Sequence, residues 1–121
     1  MSQLWGLLYK LKPGTEPLVE ELFRNSGRPE HTVRDADGNV KGRLLRTTVF
    51  VGAGVAVRVI EVEGDLRDVA QHMSRQAPVK EFEKQIEPHL AVPRDMVTPA
   101  GAQAFFRESG LQCVLDRRLD D

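Results

Sequence analysis

One cysteine, one tryptophan and one tyrosine occur in 121 residues, aromatic side chains make up only 6% of the chain, and the formal net charge is −1. Each scarcity excludes something. A lone Cys113 cannot close an internal disulfide, and between Leu111, Val114 and Leu115 it is expected as a buried small hydrophobe in a strand-like run. A net charge near zero, with basic and acidic residues interspersed, lacks the electrostatic footprint of a nucleic-acid binder. No segment approaches the roughly 18–20 consecutive apolar residues of a membrane span, and no basic stretch leads into an apolar run at the start. A soluble, cytoplasmic protein with neither nucleic-acid nor membrane partners is expected. Strong catalytic signatures are missing too: no phosphate-binding glycine loop, nucleophile elbow, zinc-type histidine pair or dinucleotide fingerprint is present. His31, His72 and His89 have no metal-ligand spacing. In the acidic tip Asp35-Ala36-Asp37-Gly38-Asn39 the glycine falls too early for a calcium loop. No metal and no cofactor is expected.

What is present fits one domain over residues 1–118, with residues 119–121 as a frayed, charged tail. Leu4 to Lys12 carries Trp5, Leu7, Tyr9 and Leu11 on one side and Leu4, Gly6 and Leu8 on the other, a strand covered on both faces. Pro13-Gly14 ends it, and Thr15 caps a helix whose stripe is Leu18, Val19, Leu22 and Phe23. Residues 27 to 42 form a polar, turn-rich excursion. Asp65 caps a helix with Leu66, Val69, Ala70 and Met73 inward, and Pro78 starts another with Val79, Phe82 and Ile86. Pro88 and Pro93 force an extended connection past Arg94-Asp95. Thr98-Pro99 opens a helix containing Phe105 and Phe106, Gly110 stops it, and Leu111 to Leu115 supplies the last strand.

The centre of the chain is a hairpin, Arg46 to Val51 and Val55 to Ile60. A three-residue loop, Gly52-Ala53-Gly54, sets Val51 opposite Val55, Val49 opposite Val57, Thr48 opposite Arg58 and Arg46 opposite Ile60. In that register one face is nearly all valine and the other carries Arg46, Thr48, Phe50 and Arg58, the mixture expected of a ligand cleft. The element order is the split βαββαβ pattern of a ferredoxin-like α+β plait with an added helix before the last strand. Its helices cover one sheet face, so the other face is expected to meet a second copy in a dimeric α/β barrel.

Arg58 sits mid-strand and needs an anion. Glu61, Glu63 or Glu83 supplies it in an ion pair, or a bound oxyanion does. Arg46 and Arg58 are candidate catalytic residues in the second reading, with His72, the one histidine on a well-patterned helix, as acid/base. Trp5, Tyr9, Thr48 and Phe50 are candidate substrate-binding residues that serve equally as core or half-buried strand residues.

Thr47-Thr48-Val49-Phe50, Val57 through Leu66, His72-Met73-Ser74-Arg75-Gln76 and Pro93-Arg94-Asp95-Met96 resemble the SchA/CurD-like family of aromatic (type II) polyketide and spore-pigment biosynthesis. Lys12-Pro13-Gly14-Thr15-Glu16 and the Phe105-Phe106 pair extend the likeness over most of the chain. Residues 27–43 depart from it as a longer polar excursion. The resemblance implies tailoring of a polycyclic aromatic polyketide in a fold similar to antibiotic-biosynthesis monooxygenases and small polyketide cyclases, without flavin, haem or metal. The leading expectation is a homodimeric, cofactor-free ring monooxygenase. A cyclase or aromatase is the alternative, and a non-catalytic partner making transient contact with other tailoring enzymes is the third.

Overall fold

The computed structural model describes residues 2–96 and 98–119. Strand β1 (Ser2–Lys10) ends at Pro13-Gly14, where Gly14 takes φ +79. Helix α1 (Glu16–Arg24) follows with proline in its first turn. Thr15 stands at its N-cap, but its hydroxyl donates to the Lys12 carbonyl at 2.7 Å instead of accepting from the helix. The stretch read as a polar excursion is a strand pair with the expected acidic tip. Between β2 (Thr32–Arg34) and β3 (Val40–Gly52), the Asp35 carboxylate accepts from the amides of Asp37 and Asn39, each at 2.9 Å.

Strand β4 (Val55–Gly64) leads to α2 (Leu66–Ser74), capped by the Asp65 carboxylate on Arg67 N–H at 2.7 Å. Then come α3 (Ala77–Ile86), a 3-10 turn at Glu87–His89, and α4 (Pro99–Ser109), which the Thr98 hydroxyl caps at Gly101 N–H. The last strand, β5 (Gly110–Gln112), stops short of the expected Leu115. Cys113 therefore lies beyond the sheet and is exposed, not buried, with Val114 beside it 91% exposed. The last two residues of the expected tail, 120 and 121, lie outside the described residues.

The five strands form one antiparallel sheet in the order β2-β3-β4-β1-β5. Without the short β2, this is the strand order of a ferredoxin-like plait. Strands have a side-chain period of two, so ladder partners share a face. Trp5, Leu7 and Tyr9 share one with Ile60, Arg58 and Ala56. Helices α1, α3 and α4 pack there through Val19, Phe82, Ile86 and Phe105. Val69 of α2 joins Ile60, Val62, Leu44 and Val33 in a second cluster on the same side. Among the described residues, no helix packs on the opposite face.

The central hairpin departs from the expected register. Its turn has two residues, Ala53 at φ +53 and Gly54 at φ +77, and Gly52 pairs with Val55. Positive φ at both positions gives a type I′ turn, whose twist matches that of the strands. Leu11 N–H donates to the Gly54 carbonyl at 3.0 Å, and Gly54 N–H donates to the Glu16 carboxylate at 2.7 Å. The tip is thus fixed on the β1–α1 corner, which holds an alanine in a conformation it rarely adopts.

Candidate functional site

The one-residue change in the turn moves the predicted residues apart. Arg58 now stands opposite Val49 and Leu7 and points into the sheet–helix layer, while Phe50 pairs with Val57, Thr48 with Val59 and Arg46 with Glu61 on the open face. A bulge at Leu45 lies between Leu44, which is buried under the helices, and Arg46, which is exposed. The expectation that Arg46 and Arg58 share a face is therefore corrected, and with it the cleft formed by Arg46, Thr48, Phe50 and Arg58. Phe50 is 63% exposed. Trp5 and Tyr9 do share the helix-covered face with Arg58, Trp5 half-buried and Tyr9 only 2% exposed.

Arg58 lies among aromatic rings. Its Cζ is 5.8 Å from the Tyr9 centroid, 5.4 Å from that of Phe23 and 5.2 Å from that of Phe82. None of the three carboxylates expected to pair with it does so. Glu61 accepts from the Ser2 hydroxyl at 2.7 Å, Glu63 faces Arg43 at 3.8 Å, and Glu83 is taken by Arg94. Arg58 Nε is buried with no hydrogen-bond partner. An unmet buried donor costs about 1–3 kcal/mol, and more when it is charged.

Arg94, from the connection before α4, enters the same layer from the other side. Its side chain is 7% exposed; Nη2 binds the Glu83 carboxylate and Nε that of Glu87 at 3.3 Å. Its Cζ sits 5.4 Å from the Tyr9 centroid and 4.5 Å from that of Phe105. Nη1 is buried and unpartnered. Tyr9 is thus flanked by both guanidinium groups and meets Phe23 edge-to-face at 6.0 Å. Burial pushes its hydroxyl pKa up, Arg58 pulls it down, Glu83 adds to the rise and Arg94 opposes it, with a net upward shift.

Beside this cluster the layer opens. A cavity of about 200 Å³ lies over Trp5 and Leu7, walled by Leu66 at the start of α2 and by Phe106 and Arg107 of α4. Its volume is below the roughly 300–1,000 Å³ of typical ligand pockets. A second, more open depression of about 310 Å³ borders Leu4, Trp5, Glu61 and Cys113. Trp5 Nε1–H donates to Gln3 Oε1 at 3.2 Å, and Trp5 lines both hollows.

His72 is engaged away from the arginines. Its Nε2 lies 3.0 Å from the Glu30 carbonyl, to which Gln76 Nε2 also donates at 2.9 Å, while Glu30 N–H donates back to Gln76 Oε1. The three groups tie the connection before β2 to α2. Sequence reasoning placed Arg94 in an extended connection and passed over it; the signal was an arginine beside prolines, eleven residues after Glu83 and seven after Glu87. Among the described residues no three histidine, cysteine or carboxylate side chains gather to hold a metal, and no helix is long and apolar enough to cross a membrane.

A family described as the SchA/CurD like domain matches residues 3–118. The chain is 37% identical over 109 residues to the "Polyketide synthase CurD" of Streptomyces cyaneus, covering 90% of this chain and 28% of that protein. It is 34% identical over the same length to the "42.8 kDa protein in whiE locus" of Streptomyces coelicolor and to "Protein SchA" of Streptomyces halstedii, covering 26% and 27% of them. The chain thus spans only about a quarter of the length of these relatives. No solved structure matches it significantly.

Proposed function

We propose, from the premise that the chain belongs to the SchA/CurD-like domain family, that it tailors an aromatic polyketide intermediate by oxygenating a ring without a cofactor. The family supports the substrate class through relatives whose names place one of them in polyketide synthesis. The observation that carries the reaction type is Arg58, a cation in an aromatic-walled layer with no carboxylate of its own.

An electron-rich phenol loses its hydroxyl proton, or an anthrone a proton of its ring CH₂, and the resulting anion, with carbanion character at a ring carbon, reduces dioxygen directly. A fixed positive charge in a dry layer favours the anion because it requires no reorganisation when charge develops. The carbanion bonds to one oxygen atom, the O–O bond then breaks with loss of water, and the anthrone CH₂, or the ring CH of a phenol on its way to a quinone, becomes C=O. All the electrons come from the substrate. Trp5 and Phe106 offer flat walls for the ring at the cavity, and Leu7 separates that cavity from its ladder neighbour Arg58. A polycyclic ligand needs more room than about 200 Å³, so α4 has to shift outward on binding. In this reading His72 holds the fold and does not serve as the proton acceptor; the proton passes to water at the cavity mouth and is returned in the water lost when the O–O bond breaks.

The working unit proposed is a homodimer joined through the open sheet face. The row Leu8–Val57–Phe50, continuous across three strands, is apolar, and no described helix covers it. Arg46, Thr48 and Phe50 belong to that interface. The test is oxygen uptake by chelator-treated protein mixed with a hydroxylated anthrone, with products read by mass. Uptake of one O₂ per substrate, with one oxygen gained and two hydrogens lost, supports the oxygenase. Loss of water without uptake from a linear poly-β-ketone offered in parallel makes it a cyclase, and no change in either substrate points to a non-catalytic partner.

A further inference from the structure

Two guanidinium groups flank Tyr9, and each keeps one buried N–H without an acceptor: Nε of Arg58 and Nη1 of Arg94. Stacking against rings satisfies the face of a guanidinium, where the positive charge meets the π-cloud. It does not satisfy the in-plane N–H groups, which still require an oxygen. The two arginines differ in charge balance. Arg94 is held by Glu83 and Glu87, which fix its orientation and offset its charge. Arg58 makes no direct ion pair among the described residues, and its buried Nε–H is left without an acceptor.

We propose that the Arg58–Tyr9–Arg94 cluster is an oxyanion subsite, which takes an aromatic ligand in its ionised form through a phenolate or a carboxylate oxygen. The inference rests on the reading that the chain binds flat aromatic molecules. It adds the charge state of the ligand and a second arginine that positions it. The route is short, because Leu7 lines the cavity over Trp5 and is the direct ladder neighbour of Arg58. Phe105 stacks on Arg94 and Phe106 walls the cavity, so a shift of α4 joins cavity and cluster. An oxyanion placed there supplies the acceptor that both N–H groups lack and the direct ion pair that Arg58 lacks.

The experiment is an anaerobic titration of the whole chain with alizarin, followed by quenching of Trp5, the only tryptophan, and by the dye's own absorbance across pH. In parallel, anthraquinone-2-carboxylate is compared with its uncharged carboxamide. A bound alizarin phenol whose apparent pKa falls by one unit or more, lost in Arg58→Met and partly kept in Arg58→Lys, supports a phenolate seat. Arg94→Met is expected to reduce the shift as well. A carboxylate bound at least tenfold tighter than its carboxamide, with that preference lost in Arg58→Met, supports a carboxylate seat. Quenching without a pKa shift or a charge preference overturns the subsite and leaves aromatic binding standing. No quenching by any of the three probes overturns aromatic binding and the subsite with it. Urea midpoints of the variants separate lost binding from lost folding.

Discussion

Arg94 holds the carboxylate of Glu83 in the layer between sheet and helices, the two side chains 7% and 15% exposed. Glu83 is the only helix-borne carboxylate expected to neutralise Arg58, and its capture by Arg94 leaves Arg58 with aromatic rings alone. Glu87 stays on Arg94 Nε at 3.3 Å when Glu83 is removed, so the guanidinium loses one charge-assisted bond and is not stranded. Glu83→Gln is therefore expected to destabilise the chain by about 2 kcal/mol, read as a lower urea midpoint at unchanged m-value. A loss below about 0.5 kcal/mol would mean the pair is solvent-screened and stabilises little.

Arg58→Met should behave differently. It gives up cation–π contacts worth up to about 2 kcal/mol, but it also removes a half-buried guanidinium whose Nε–H has no acceptor. The net change in stability is expected to lie within about 1 kcal/mol of the parent. If urea unfolding shows a loss of several kcal/mol, Arg58 is held by a structural partner and its charge is not in reserve for a ligand.

Much of the fold was legible in the sequence. Pro13-Gly14, Asp65, Pro78, Thr98 and Gly110 mark element ends by local chemistry, and the structure has ends at or beside each of them. The candidate site was less legible, because it hung on one turn. Alanine seldom takes positive φ, so a two-residue Ala53-Gly54 turn is hard to expect; only the hold of Glu16 and Leu11 on the tip makes it favourable. Tertiary contacts overrode local preference, and every side chain from Arg46 to Val51 changed its partner. Arg94 escaped notice for a related reason: its role depends on a fold-back onto Glu83 and Glu87 that no periodicity records.

Tyr9, the only tyrosine, reports on the same layer without a label. Its hydroxyl pKa is raised in the folded chain above the ordinary value of about 10. The folded state holds that proton more tightly than the unfolded state does. The resulting stability is fully present below pH about 10 and is lost as pH rises through the folded value. Absorbance at 295 nm is expected to show tyrosinate forming above pH 10, together with unfolding. Tyr9→Phe should flatten the fall in stability at that end of the pH range. Ordinary titration near pH 10 in a chain that remains folded would show that solvent reaches the hydroxyl.

The open face gives a prediction independent of the layer. Val57 lies between Leu8 and Phe50 on adjacent strands. Light scattering is expected to give twice the 13.6 kDa chain mass, and Val57→Lys to give the single-chain mass with unchanged circular dichroism. A wild-type chain that is monodisperse at the single mass would remove the barrel arrangement.

The Ala53-Gly54 turn, fixed by Glu16 and Leu11, also limits how the chain can vary. Hairpin tips ordinarily accept insertions and deletions with little effect, and alignments treat their length as noise. Here the division of residues between turn and strands has the force of parity. Closing the same residues as a three-residue Gly52-Ala53-Gly54 loop would pair Val51 with Val55, move Arg46 onto the rung of Ile60 and turn one strand's inner set of side chains outward against its neighbour. A relative whose tip does not hold positive φ at both turn positions would have a different interior, even if every strand residue were identical. For that reason, turn type should be read before strand identity when a site is transferred among members of the family.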